Sequence, residues 1–143
     1  MSRPLRVATG RPVVIDSSVA FKWFDATEKG ADIAVGLLRE HKRDDTALLA
    51  PAHLHLELIN ALVCRRVAPE EIERAVRFLA DVDLLIAPAD DGLLVDAARI
   101  AHSERIALSD ATFIALAARL DAELVTADRR QAATRSCRVR FIG

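Results

Sequence analysis

LSDATFIALAARLDAELVTADRR, residues 108–130, poses the problem on which the fold turns. Its first part, 108–120, is apolar on nearly every side and reads as a buried helix, with Ser109 placed to cap it. Its second part, AELVTAD over 122–128, is a short apolar run that reads as a buried strand. Yet Asp110 stands at the start of the helix, and Asp128 stands just past the end of the strand. A carboxylate pulled out of water costs free energy unless something pairs with it. Two such acids at the edges of two core elements point to a shared purpose.

Outward from this stretch the same alternation repeats. PVVIDSS (12–18) is a β-branched run ending at Asp16 and two serines, a buried strand feeding a helix start. VAFKWF (19–24) continues as a helical turn. EKGADIAVGLLREHK (28–42) has Ile33, Leu37 and Leu38 at helical spacing. ALLA (47–50) is a second strand. HLHLELINALVCRR (53–66) is helical and apolar on most sides, which predicts a largely buried helix. PEEIERAVRFLADV (69–82) is amphipathic, with Pro69 in its first turn and Ile72, Val76 and Leu79 on one face. DLLIAP (83–88) is a third strand. DDGLLVDAARIAHSE (90–104) is a helix with Leu94, Ala97 and Ala101 inward, and RVRFI (138–142) is a fifth strand.

Strands alternate with helices, and the strands are continuous apolar runs. That pattern specifies an α/β fold with a parallel sheet covered on both faces. A chain of 143 residues fits one domain, expected over 11–143 after a short N-terminal extension, 1–10. In such sheets the ligand site lies off the carboxyl ends of the strands. Asp16 and Asp128 fall at such ends, and Asp110 begins the helix that precedes the fourth strand.

Composition narrows the classes. With five Phe, one Trp and no Tyr the core is aliphatic, and aromatic platforms for stacking bases are scarce. The net charge of −1 gives no global field toward nucleic acid or membrane. The arginines are nevertheless skewed: Arg129, Arg130, Arg135, Arg138 and Arg140 follow Asp128 with no acid among them. Genomic base composition explains such a bias as well as a phosphate-gripping rim does. Cys64 and Cys137 are far apart, in no metal-type spacing, and read as small buried residues of a reducing, cytoplasmic compartment. Arg3, Arg6 and Arg11 interrupt any secretory h-region near Met1. The most apolar window, 46–63, carries Pro51, His53, His55, Glu57 and Asn60 and makes a poor membrane span.

Glu57 is the odd residue of its apolar helix, with Asn60 one turn on along the same side. An ion pair with Arg65 or Arg66 would explain it; so would convergence with Asp16, Asp110 and Asp128. Each of those acids also has a plain reading: Asp16 as a helix N-cap, Asp110 as a complement to the helix dipole, Asp128 as a turn acid. Four converging carboxylates would repel one another, and a divalent cation reverses that logic. All-oxygen ligation favours Mg²⁺ or Mn²⁺ over Zn²⁺, and the chemistry such a cation supports is phosphodiester hydrolysis. His53 and His55 sit two apart and diverge on a helix, so they read as surface or capping residues.

Four stretches in order, VVIDSSVAFKWF, APAHLHLELINAL, LSDATFIALAARL and LVTADRRQAA, resemble a PIN domain, and most of all the VapC-type toxin ribonucleases of toxin–antitoxin pairs. The resemblance covers nearly the whole chain and implies a three-layer α/β/α sandwich. It carries the family's metal-binding and catalytic acids onto Asp16, Glu57, Asp110 and Asp128. Thr126, Ser18 and Asn60 match positions of small polar residues that support those acids. It implies Mg²⁺- or Mn²⁺-dependent hydrolysis of RNA, a homodimer and a small VapB-like antitoxin. Asp16, Asp110 and Asp128 would hold the first metal, Glu57 would orient the attacking water or complete a second site, and Arg129 and Arg130 would position the RNA backbone. Two departures bear on the substrate groove: Ser109 stands where the family often has Tyr, and FDATEKG (24–30) replaces an acidic, proline-containing loop. The rival classes are a non-catalytic metal-binding module and a phospho-receiver signalling domain. The receiver needs a lysine after a late strand, and no lysine follows Lys42.

Overall fold

Why the strands sit where they do follows from β1 (Arg11–Ile15), whose Val13, Val14 and Ile15 are all fully buried. Successive strand side chains point to opposite faces, so burial of three in a row means that both faces are covered. In the computed structural model, which describes residues 9–143, β1 is the middle strand of five. The first eight residues of the expected N-terminal extension lie outside the described residues.

The other strands are β2 (Thr46–Pro51), β3 (Leu85–Ala87), β4 (Glu123–Thr126) and β5 (Val139–Phe141). Their order is β3-β2-β1-β4-β5, and every pairing is parallel. The chain therefore winds outward from β1 through β2 to β3, then returns to the other side of β1 for β4 and β5. The reversal lies between β1 and β4, where Val14 pairs with both Leu49 and Leu124.

Seven helices connect these strands: α1 (Ser17–Phe21), α2 (Ala31–Lys42), α3 (Leu54–Cys64), α4 (Pro69–Val82), α5 (Asp91–Glu104), α6 (Leu108–Arg119) and α7 (Arg129–Ala132). The apolar stretch that opened the reading is α6. Its residues Ala111 to Ala117 are buried without a break, because α6 packs on β1, β2 and β4 on one side and on α5 on the other. The expected parallel α/β architecture, a sheet flanked by helices, is the one observed.

Several details differ from expectation. Ser109 is not the cap of α6; the helix begins one residue earlier, with Ala107 in the cap position and no side-chain cap bond. On α5 the inward leucine is Leu93, while Leu94 is 40% exposed. On α4, Leu79 and Ala75 are buried while Val76 faces out, and on α2 Ile33 faces out. α3 is less buried than its composition suggests: Leu54, Leu58 and Leu62 form its inner stripe, and Leu56 and Val63 are exposed. Cys64 is exposed, against expectation. Cys137 is half-buried; burial first and Glu104 second hold its thiol up to about 11, so it stays protonated and unreactive. Among the described residues, no helix is long and apolar enough to cross a membrane.

Candidate metal centre

β1 ends in Asp16, whose backbone N–H still donates to Val125 O across the sheet at 3.4 Å. The next residues turn into α1, and Asp16 caps it by accepting from Val19 N at 3.2 Å. The plain reading of Asp16 as an N-cap is therefore true, but it does not exhaust the residue. Its carboxylate is 97% shielded from solvent and also accepts from the hydroxyls of Ser18 and Thr126. Burial raises its pKa; the bonds from Ser18, Thr126 and Val19 oppose that, and the charge of Asp128 adds to it.

Asp128 follows β4 and caps α7, accepting from Arg130 N at 2.8 Å. Its own N–H donates to Thr126 Oγ1 at 2.9 Å. Asp110 sits in the first turn of α6, half-buried. Burial raises its pKa, Asp128 raises it further, and His53 and Arg130 pull it down. Glu57 sits in the first turn of α3. Its pKa is raised by burial, lowered by His53, then raised by Asp110 and Asp16. Neither Arg65 nor Arg66 pairs with it; His53 Nε2 lies 3.7 Å from Oε1. Oε1 is shut away from solvent and has no hydrogen-bond partner among the described residues.

These influences close on themselves: Asp16 feels Asp128, Asp110 feels Asp128, and Glu57 feels both Asp110 and Asp16. Four carboxylates from four segments thus face one another off the carboxyl ends of β1 and β4, at the point where the strand order reverses. That is where an open α/β sheet builds its ligand site. Among the described residues, no three His, Cys, Asp or Glu side chains are already gathered as a metal-ligand set. The acids converge without touching. Their chemistry nonetheless suits a hard divalent cation: every donor is oxygen, the charges repel, and the buried Glu57 Oε1 lacks a donor.

Of the small polar residues expected to support the acids, Ser18 and Thr126 do. Thr126 is fully buried and touches Asp16 and the Asp128 N–H, and Ser18 accepts from Ala127 N at 2.9 Å while donating to Asp16. Asn60 is exposed on α3. Arg129 and Arg130 are exposed at the start of α7. Two residues were missed. Gln131, 2% exposed, donates from Nε2 to Asp110 O at 2.9 Å, and its Oε1 lies 3.2 Å from the Thr126 hydroxyl, whose one proton is directed mainly to Asp16. His53 donates from Nε2 to Ser109 O at 3.0 Å and lies edge-on to Phe113, ring centroids 4.9 Å apart. A glutamine after two arginines carries no periodic signal, and the partners of His53 lie far away in the chain, so neither role was legible locally.

The fold and site together define an α/β protein with an acidic centre at the switch point of a parallel sheet. The PIN domain family model matches residues 13–136, and the chain belongs to that family. Solved structures with the same fold include PAE2754 from Pyrobaculum aerophilum, 21% identical, with 92% of each chain covered and a TM-score of 0.65. VapBC2 from Rickettsia felis, bound to a DNA fragment from their promoter, is 10% identical, with 91% of this chain and 98% of that one covered and a TM-score of 0.68. VapC20 of Mycobacterium tuberculosis, a Sarcin-Ricin loop cleaving toxin, is 17% identical, with 85% and 93% covered and a TM-score of 0.63. No curated protein matches the chain significantly.

Proposed function

We propose that the chain is a divalent-metal-dependent ribonuclease that acts as the toxin of a toxin–antitoxin pair, with Mg²⁺ or Mn²⁺ held by Asp16, Glu57, Asp110 and Asp128. The observation that carries this reading is geometric: Thr126 joins the Asp16 carboxylate to the Asp128 backbone, Gln131 holds the Asp110 carbonyl beside them, and Glu57 Oε1 is buried with no hydrogen-bond partner among the described residues. Surface caps and dipole complements do not need to converge. Membership of the PIN family supports a hydrolase acting on RNA. Structural neighbours that are toxin–antitoxin assemblies support a VapB-like antitoxin as partner; a homodimer in the cytoplasm is part of the same proposal.

A divalent cation in this site supplies charge neutralisation at the scissile phosphate and a water acidic enough to attack it. The chain's own part is placement. Ser18 and Thr126 hold the Asp16 carboxylate in one orientation and oppose the rise in its pKa that burial causes. Thr126 also fixes the backbone of Asp128. Gln131 ties the start of α6, and with it Asp110, to the end of β4. Glu57 would orient the attacking water by accepting a hydrogen bond from it.

Asp110 is the residue to test, because both carboxylate oxygens of Asp16 accept hydrogen bonds that an amide would not reproduce. In chelator, Asp110→Asn keeps a cooperative melt. A folded-state ligand at one hundred times its Kd adds about 2.7 kcal/mol of stability. Mn²⁺ therefore raises the parent's Tm by several degrees, and the variant loses most of that rise. RNA cleavage by the parent stops on chelation and is absent in the variant. A folded Asp110→Asn protein that still cuts RNA contradicts the assignment.

A further inference from the structure

Beside Glu57 lies an open cleft of about 320 Å³, walled by Ser17, Ser18, Lys22, Glu28, Glu57 and Arg65 among others. Its two cations differ. Lys22 is buried; its ammonium donates to the backbone carbonyl of Lys29 and faces Glu28 Oε2 at 3.8 Å. Its charge is committed to the loop that leads into α2. Arg65 is exposed and makes no ion pair among the described residues; Asp25 feels its charge without touching it.

The Arg65 guanidinium lies over the Phe21 ring, 4.1 Å from its centroid. A cation–π stack engages the flat face of the guanidinium and leaves its in-plane N–H donors unspent. The group is thus fixed in position and still able to fork onto an oxyanion. Its place is informative too. Glu57, Ala61 and Arg65 recur every four residues, share one face of α3 and line the same cleft. Two helical turns set Arg65 about 12 Å along the axis from Glu57, with only the small Ala61 between them. Beyond Asp110 and Asp128, Arg130 and Arg135 share a second cleft of about 290 Å³, and the charge of Arg130 reaches Asp110.

We propose that Arg65 is a phosphate-binding residue, seating a backbone phosphate of the RNA strand a short way from the bond that is cut. The inference rests on the ribonuclease reading above. Because the contact is to the backbone, it positions the strand without selecting its sequence.

The test measures binding of labelled single-stranded RNAs of several sequences, across a salt series, to protein carrying Asp110→Asn so that nothing is cut. Arg65→Ala is set beside Arg77→Ala, which removes the same charge from an exposed pair with Glu73 on α4, outside the residues that line the cleft. Arg65→Ala weakens binding about tenfold for every sequence and lowers the salt slope by about 0.7. Arg65→Lys falls between, since it keeps the charge but not the fork. Arg77→Ala changes neither. Equal effects of Arg65→Ala and Arg77→Ala overturn the inference, as does an Arg65 loss confined to one sequence. The Mn²⁺-induced rise in Tm, measured on otherwise unaltered protein, separates the two levels. If the parent shows that rise and Arg65→Ala retains it, the metal reading stands whichever way RNA binding falls. If the parent shows none, the ribonuclease reading falls and takes this inference with it.

Discussion

Gln131 shows how one buried amide can couple four segments. It donates to the Asp110 carbonyl on α6 and packs its Oε1 against the Thr126 hydroxyl on β4, which donates mainly to Asp16 beyond β1 and accepts from the Asp128 N–H before α7. Gln131→Leu keeps the apolar bulk and removes the bonds, leaving buried polar groups unsatisfied at a cost of about 1–3 kcal/mol. A folded variant then binds Mn²⁺ more weakly, by calorimetric titration at a temperature where both proteins are native. If stability falls and Mn²⁺ affinity does not, Gln131 only holds the fold together. At this scale the sequence exposed the ionisable groups, because acids in apolar runs break a pattern. It did not expose their supports, because a buried glutamine is recognised only by what it touches.

Among the elements, α6 carries the most. Phe113, 1% exposed, fills the space between α6 and the sheet and also backs the His53 ring. Phe113→Ala costs about 3–5 kcal/mol, a cavity penalty added to lost burial, as read from urea unfolding. A loss below about 1 kcal/mol would mean that α6 does not anchor the core. The existence and order of the elements were legible from periodicity and run length. Their inner faces were less so. In α5 two leucines stand side by side at 93 and 94, and adjacent helix positions differ by a large rotation, so which one turns inward depends on how α5 meets α6. The start of α6 was misplaced for a related reason: Ser109 is a good cap by type, but the chain leaves Ala107 extended and turns into the helix there.

Across the whole molecule, the gathered acids make stability depend on pH in the opposite sense to an ordinary ion pair. Asp16 and Asp110 are raised above the usual 3.8 and Glu57 above the usual 4.5, burial being the first cause in each. The folded state therefore holds protons that the unfolded chain has released, and stability rises as pH falls through the raised values. The rise ends near 4, where the unfolded carboxylates also protonate. Below that, Asp25 and Asp90, whose pKa values are lowered by hydrogen bonds from Thr27 and Leu93, work the other way. In chelator, Tm climbs as pH falls from neutral toward the usual carboxylate range, and Asp110→Asn flattens the climb. Saturating Mn²⁺ abolishes it, because a bound cation favours the ionised acids. A Tm that only falls on acidification contradicts the raised values.

The sequence by itself determined the class of fold, the alternation of strand and helix, and the identity of the four acids. These are local properties: a run of β-branched residues makes a strand, an apolar helical run buries itself, and a carboxylate within either stands out. Only the tertiary structure decided the strand order, which puts the ends of β1 and β4 side by side, and with it the meeting of Asp16, Glu57, Asp110 and Asp128. It also decided that Arg65 lies on Phe21 instead of pairing with Glu57, and that Gln131 and His53 reach across to α6. The reason is physical. Contacts between residues distant in the chain are set by how whole faces pack, and no window of sequence contains both partners.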